Sequence, residues 1–226
     1  MKKQFYFILF VFISLINASV AMSQTLTDIK GQPLKQIIYA EFEGSPFFSK
    51  VWSKGIVEMA NGAKYTDLDL KYDQLKDGLV FKGKNDEELY FSDAIKKFTL
   101  NNTPDNGKQS VFRNGFEAYK DFTTQSFYEV ITAGEISLLR KNFKTVIENR
   151  EYNSANVIKK ILNNNLLYIA RDNKIIASQN DNIKVIANAI DANKSSSIIE
   201  FSSKNKLSPK KEEDLKKIIE YYTSIK

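Results

Sequence analysis

The sequence predicts an α+β fold: an antiparallel β-meander, laid out as a sheet or curled as a half-barrel, followed by a small C-terminal helical segment. Three observations predict it. From Gly44 to Ser178 apolar and polar residues alternate with period two, turn-forming residues cut that stretch at short intervals, and beyond Ser178 the apolar spacing lengthens to that of a helix. Strands first and helices last argue for segregated layers rather than βαβ units. The expected division is a signal peptide over 1–23, a β-rich domain over 24–178 and a helical segment over 179–226.

The first element is the signal peptide. Met1-Lys2-Lys3 is a short positive start, Phe5 to Ile16 is apolar except for Ser14, and small residues follow at Ala18, Ser19, Ala21 and Ser23. Cleavage after Ala21 puts Ser19 at −3, and cleavage after Ser23 puts Ala21 at −3. The 12-residue apolar core is shorter than the roughly 20 residues that cross a bilayer, and no later stretch is long and apolar enough to do so. The mature chain is therefore expected to be exported, periplasmic or extracellular, with no transmembrane segment.

The meander begins at Gly55–Met59, and Asn61-Gly62 turns the chain as a type I′ hairpin would. Lys64–Tyr72 then places Leu68, Leu70 and Tyr72 on one face and Asp67, Asp69 and Lys71 on the other. Lys76-Asp77-Gly78 leads into Leu79–Phe81, Asn85-Asp86-Glu87 into Leu89–Phe91, and Phe98–Leu100 is a fifth short strand. Asn101 to Gln109 reads as a loop. Ser110–Arg113 is a further strand, and Phe127–Thr132 with Ile136–Lys141 is a hairpin about Ala133-Gly134. In Tyr152–Asn165 the residues Val157, Ile158, Ile161 and Leu162 have helical spacing, and three Asn follow that would end a helix. Leu167–Ala170 and Ile175–Ala177 form a last hairpin.

The helical segment opens with the stripe Ile183, Ile186 and Ile190, and Ile198 with Phe201 marks a second short helix. The third has the fullest signal: Ser208 as N-cap, Pro209 in the first helical position, and Glu212, Glu213 and Asp214 at the positive end of the dipole. Leu215, Ile218, Ile219, Tyr222 and Ile225 share its apolar face, and Glu212 with Lys216 and Glu213 with Lys217 are i,i+4 pairs.

Composition removes whole classes of chemistry. The 226 residues include no His and no Cys, so imidazole bases, thiol nucleophiles, disulfides, zinc ribbons and lipid-modified cysteines are excluded. No cofactor and no metal site is expected. The 33 basic residues exceed the 27 acidic ones, but Lys2 and Lys3 leave with the signal peptide, and the only Arg residues (Arg113, Arg140, Arg150, Arg171) are scattered. Nucleic-acid surfaces cluster Arg and Lys; here Lys alternates with acids, so no nucleic-acid partner is expected.

Four constellations invite a chemical reading. Asp67 and Asp69, two apart on a strand, share a face and form a carboxylate pair of the kind used on cations or sugars; a solvated strand face gives the same pattern. Ser208-Pro209-Lys210-Lys211 matches S-x-x-K, without the Ser-Asp-Asn and Lys-Thr-Gly that accompany it in penicillin-recognising enzymes, so capping accounts for Ser208. Asp105-Asn106-Gly107 and Asn180-Asp181-Asn182 are oxygen-rich, but lack the spacing of a Ca²⁺ loop and read as turn chemistry. The aromatics Phe47, Phe48, Trp52, Tyr65, Tyr72, Phe81, Tyr90, Phe91, Phe98, Phe112, Phe116, Phe127 and Tyr128 either fill a core or line a pocket for an apolar ligand. Phe47, Phe48 and Trp52, carried by the loop Gly44-Ser45-Pro46-Phe47-Phe48, are the candidate ligand or partner contacts.

Gly44-Ser45-Pro46-Phe47, Lys54-Gly55 leading to Asn61-Gly62, Leu70-Lys71-Tyr72-Asp73, Leu138-Leu139-Arg140-Lys141, Asn205-Lys206-Leu207 and Tyr221-Tyr222 together resemble a group of uncharacterised exported proteins common in Bacteroidota. Ser195-Ser196-Ser197 departs from the lysine-rich helix of that pattern. The resemblance implies export and a β-rich body with a helical tail; it carries over no catalytic residue. The expected function is a non-enzymatic binding or structural module of the cell envelope, with an unknown protein or apolar ligand as partner. The alternative is a carrier of a lipid-like ligand in an aromatic-lined concave sheet, and the third reading is a carboxylate-dependent hydrolase using Asp67 and Asp69.

Overall fold

Runs of β-branched and aromatic residues between turns satisfy their backbone groups sideways, in ladders. The computed structural model describes residues 31–33, 42–101, 107–150 and 157–226; the expected signal peptide lies outside them. Among the described residues twelve strands form one sheet: β1 (Gly31–Pro33), β2 (Phe42–Glu43), β3 (Ser53–Met59), β4 (Lys64–Asp73), β5 (Gly78–Lys82), β6 (Glu88–Phe91), β7 (Ile95–Leu100), β8 (Ser110–Arg113), β9 (Tyr128–Thr132), β10 (Ile136–Arg150), β11 (Val157–Arg171) and β12 (Lys174–Ser178). Three helices follow among the described residues: α1 (Ile183–Ile190), α2 (Ser195–Lys204) and α3 (Glu212–Ser224). The fold is α+β.

The order β1-β6-β5-β4-β3-β7-β8-β9-β10-β11-β12 consists of two meanders set back to back. One runs from β3 to β6; the chain then returns, and β7 adds to the free side of β3 and starts the second. The sheet is mixed rather than purely antiparallel, because β2 lies parallel to β11, with Phe42 and Glu43 beside Lys159 and Lys160.

Two local expectations change. Val157, Ile158, Ile161 and Leu162 lie in a strand, not a helix: β10 and β11 pair without a break from Ile136↔Arg171 to Arg150↔Val157. The three Asn expected to end a helix pair opposite Asn142, Phe143 and Lys144, so cross-strand pairing overrides local spacing. At the β3–β4 turn only Gly62 has positive φ, +88°. Gly62 N–H bonds Met59 C=O at 3.0 Å and Met59 N–H bonds Ala63 C=O at 2.8 Å. That is a three-residue loop ending in a left-handed glycine, not a type I′ turn.

On β4 a bulge at Asp67 (φ 59°) resets the alternation, so Tyr65 is buried together with Leu68, Leu70 and Tyr72. Gly55 is required by close approach: a Cβ there would stand 2.2 Å from Thr99 O and 2.6 Å from Leu70 Cδ1.

One face of the sheet carries two cores. Over β3 to β8 it curls around Val57, Leu70, Tyr72, Phe98, Leu100 and Phe112, with Phe127 closing one end. Further along, Ile136, Leu138, Leu167 and Ile169 on the same face take the helices, whose buried residues include Ile186, Ile190, Ile198, Leu215, Ile218 and Tyr222. On the opposite face, Tyr128, Leu139, Tyr168 and Ala170 pack under Phe116, with Tyr119 and Phe122 against them. Curling brings the β4–β5 turn to the edge of β10, where Lys144 N–H bonds Gln74 C=O at 3.1 Å.

Helix α1 is capped by the Asn182 side chain, which accepts from Val185 N–H at 3.0 Å. Helix α3 begins at Glu212, later than expected. Ser208 does not cap it; its hydroxyl accepts from Lys210 N–H at 3.4 Å, and its own N–H donates to the Asp214 carboxylate at 3.0 Å. The helix is tied to the sheet by charge. Arg140 bonds both Glu212 and the buried Glu129, and Glu212 also pairs with Lys216 at 2.8 Å. Burial raises the Glu212 carboxyl, but the hydrogen bonds from Lys216 and Arg140 outweigh it and hold the group below its usual range. Glu213 pairs with Lys216 at 2.8 Å.

Candidate functional site

The concave face offers aromatic rings rather than a ligand chamber. Phe98 and Phe112 stack with centroids 4.8 Å apart, Tyr72 lies 5.0 Å from Phe112, and Phe127 meets Phe98 edge-on at 5.0 Å. Phe48 joins them, meeting Phe112 edge-on at 5.5 Å. Each is a favourable aromatic geometry, and together they occupy the middle of the curl.

Phe47 and Trp52 are half-buried, as Phe48 is. They flank the Lys71 ammonium, which lies 5.1 Å from the Phe47 ring and 4.4 Å from the Trp52 ring and bonds Glu88 at 2.8 Å. The cation an aromatic pair could receive is thus supplied by the chain itself. The loop beneath is fixed by Lys144, whose ammonium donates to Ser45 O and Phe47 O, each at 2.7 Å. So the three aromatics proposed from sequence separate: Phe48 belongs to the core, while Phe47 and Trp52 clasp an internal lysine.

Asp67 and Asp69 stand on an open face, and both reach Lys54, at 3.7 Å and 3.3 Å. The Asp67 side chain is 82% exposed. Surface pairs of this kind are worth little. Asp181 accepts from Ser178 N–H at 2.7 Å and Asn182 caps α1, so that triplet is occupied with turn chemistry. Asp105 and Asn106 lie outside the described residues. Among the described residues no group of three or more acids is placed to hold a metal ion, and no helix is long and apolar enough to cross a membrane.

Sequence reasoning passed over a groove on the face opposite the aromatic core. Its volume is about 580 Å³ and it crosses β3, β7, β8, β9 and β10, a size in the range of small-molecule sites. Val111 and Val130 are half-buried in its floor, with Leu139 and the ring of Phe116 beneath. Register builds the rim: Glu58 stands opposite Lys97 on β7, and Lys97 stands opposite Arg113 on β8. Lys96 bonds Glu58 at 2.8 Å and holds that carboxyl below its usual range. Arg113 lays its guanidinium 4.5 Å from the centroid of Phe116 and, among the described residues, donates to neutral oxygens, Asn173 Oδ1 at 2.9 Å and Asp172 O at 3.5 Å. Its only sequence signal is an outward-facing valine on each of β8 and β9, and that signal becomes visible only once the pairing is known.

A second cleft, about 520 Å³, lies between the β9–β10 turn and α3. On its rim Lys226 pairs with Glu135, and Lys216 pairs with Glu212 and Glu213. Compared with known proteins, the chain matches no family model, no curated protein and no solved structure.

Proposed function

We propose that the protein is an exported, non-enzymatic binding module of the cell envelope that holds its ligand or partner in the groove on the outer face of the sheet. The observation that carries this reading is the division of labour between the faces. The aromatic residues that would line a carrier's chamber pack against one another, while the opposite face keeps an open depression with an apolar floor and a charged rim. Interior packing works against the lipid-carrier reading. The exposed, Lys54-bound Asp67 and Asp69 work against the hydrolase reading. Export rests on the pattern of Met1 to Ser23 and on the resemblance to exported Bacteroidota proteins.

Two measurements test the proposal. N-terminal sequencing of the mature protein from the envelope fraction is expected to begin at Met22 or Gln24; a chain retaining Met1 overturns export. Native purification with mass spectrometry of co-purifying molecules is then compared between wild type and Ser137→Tyr, which fills the groove from its wall. A molecule retained by wild type and lost from the variant supports the groove as the binding site. Identical, or empty, profiles overturn it.

A further inference from the structure

We infer that the groove takes an anionic amphiphile: a single carboxylate or phosphate head held between Lys97 and Arg113, with a short aliphatic portion lying over Val111 and Val130. The inference rests on the binding-module reading and names the ligand chemistry of the same groove.

Charge on the rim is unbalanced in a particular place. Lys97 and Arg113 are direct cross-strand partners on β7 and β8, and like charges in that relation destabilise a sheet. Among the described residues neither makes an ion pair with an acid. Glu58, the carboxylate among the described residues lining the groove, is hydrogen-bonded to Lys96 at 2.8 Å. Lys97 makes no ion pair among the described residues, and the Arg113 guanidinium is bonded to a side-chain amide oxygen and a backbone oxygen. Glu58 is thus engaged by Lys96, and no carboxylate among the described residues pairs with Lys97 or Arg113. A bound anion between Lys97 and Arg113 would convert a repulsive pair into two attractive contacts, and charge-assisted bonds of that type are the stronger ones.

The floor adds the second requirement. Val111 and Val130 are valines on a sheet face that also carries Lys97 and Arg113, and they are only half-covered. An inorganic anion would leave them wet. An aliphatic tail of several carbons covers them, and each buried methylene contributes to affinity. A cationic or neutral amphiphile satisfies the floor but not the rim.

The test is calorimetric titration of the purified mature protein with octanoate, acetate and octyltrimethylammonium at low salt, with octyl phosphate as a fourth probe to distinguish the head group. Octanoate or octyl phosphate is expected to bind saturably, at least tenfold more tightly than acetate, with no saturable binding of octyltrimethylammonium. Affinity should fall as salt is raised. Lys97→Gln should weaken octanoate binding about tenfold while leaving the melting temperature equal or higher, because it removes the repulsive pair. Equal binding of the anionic and cationic amphiphiles, or an unchanged affinity in Lys97→Gln, overturns the inference. If octanoate and octyl phosphate both fail to bind while Ser137→Tyr still strips a co-purifying molecule, the ligand chemistry is wrong and the binding-module reading survives.

Discussion

The Lys141 ammonium lies 2.6 Å from the Asp77 carboxylate, across the seam where the β4–β5 turn reaches the edge of β10. The lysine side chain is 1% exposed. It also donates to Phe127 O at 2.9 Å and packs against the rings of Phe122 and Tyr128. Asp77 in turn accepts from the Tyr72 hydroxyl at 2.5 Å. A buried, paired charge therefore fastens the curl of the sheet, with the aromatic core on one side and the loop that covers the opposite face on the other.

Breaking that pair should be costly from one side and cheaper from both. Lys141→Met leaves the Asp77 carboxylate without its cation and is expected to destabilise by about 2–4 kcal/mol. Adding Asp77→Asn, which keeps a residue tolerant of the φ of 55° found there, should recover more than half of the loss. Urea denaturation of the four proteins in the cycle measures the coupling; simple additivity would show that the pair does not act as a unit.

The same lysine sets a pH dependence. Burial lowers the Lys141 group, with Asp77 opposing. In the unfolded chain the ammonium titrates near 10.4, so between the lowered folded value and that point the unfolded chain binds more protons and this residue's contribution rises with pH. The stability difference between wild type and Lys141→Met/Asp77→Asn should therefore shift in favour of wild type between pH 7 and pH 10. Tyr72 acts with the opposite sign. Burial, then the Asp77 charge and hydrogen bond, raise its phenol well above 10, so its contribution is intact below that pH and lost above it.

Arg140 is expected to be the main tie between helix α3 and the sheet. Arg140→Met leaves the buried Glu129 with only Ser110 and Asn142 as described partners and should cost about 3 kcal/mol. Glu212→Gln should cost less, about 0.5–1 kcal/mol. Since the Glu212 carboxyl is lowered when folded, its stabilising share is present above the ordinary carboxylate range and is lost as pH falls through the lowered value. Thermal melts at pH 7 and pH 3 should show a larger Glu212→Gln deficit at the first than at the second.

Two backbone positions on β3 and β4 separate space from conformation. Gly55→Ala drives a methyl into Thr99 O and Leu70 and should cost about 3 kcal/mol. Asp67→Gly should change stability by no more than about 0.5 kcal/mol, because glycine accepts φ 59° freely. Asp67→Val should cost about 1–2 kcal/mol at the same position. A shifted denaturation midpoint at constant slope is the signature in each case.

The local features of this fold were legible and the long-range ones were not. Turn residues at Asn61-Gly62, Asp77-Gly78 and Asp86 separated the short strands, and the apolar stripe of Leu215, Ile218, Ile219 and Tyr222 marked α3, because each signal lies within one element. The β10–β11 hairpin was hidden. Val157, Ile158, Ile161 and Leu162 satisfy a helical period as well as a strand, and only the facing residues of β10 decide between them. The burial of Lys141 was hidden as well, since nothing near it in sequence announces Asp77 arriving from the β4–β5 turn. The groove was invisible for the same reason: Lys97 and Arg113 become neighbours only through the register of β7 on β8. Asp67 and Asp69 did emerge side by side, as the alternation required, but on an open face with Lys54 between them.

Methyl-resolved NMR during an octanoate titration tests most directly whether the outer groove, rather than the aromatic interior, is the binding face. Progressive shifts are predicted at the methyls of Val111 and Val130, with those of Val57, Leu70 and Leu100 unmoved. Shifts confined to Val57, Leu70 and Leu100 would mean that the ligand enters the curl between the aromatic rings, and would contradict the assignment of binding to the opposite face.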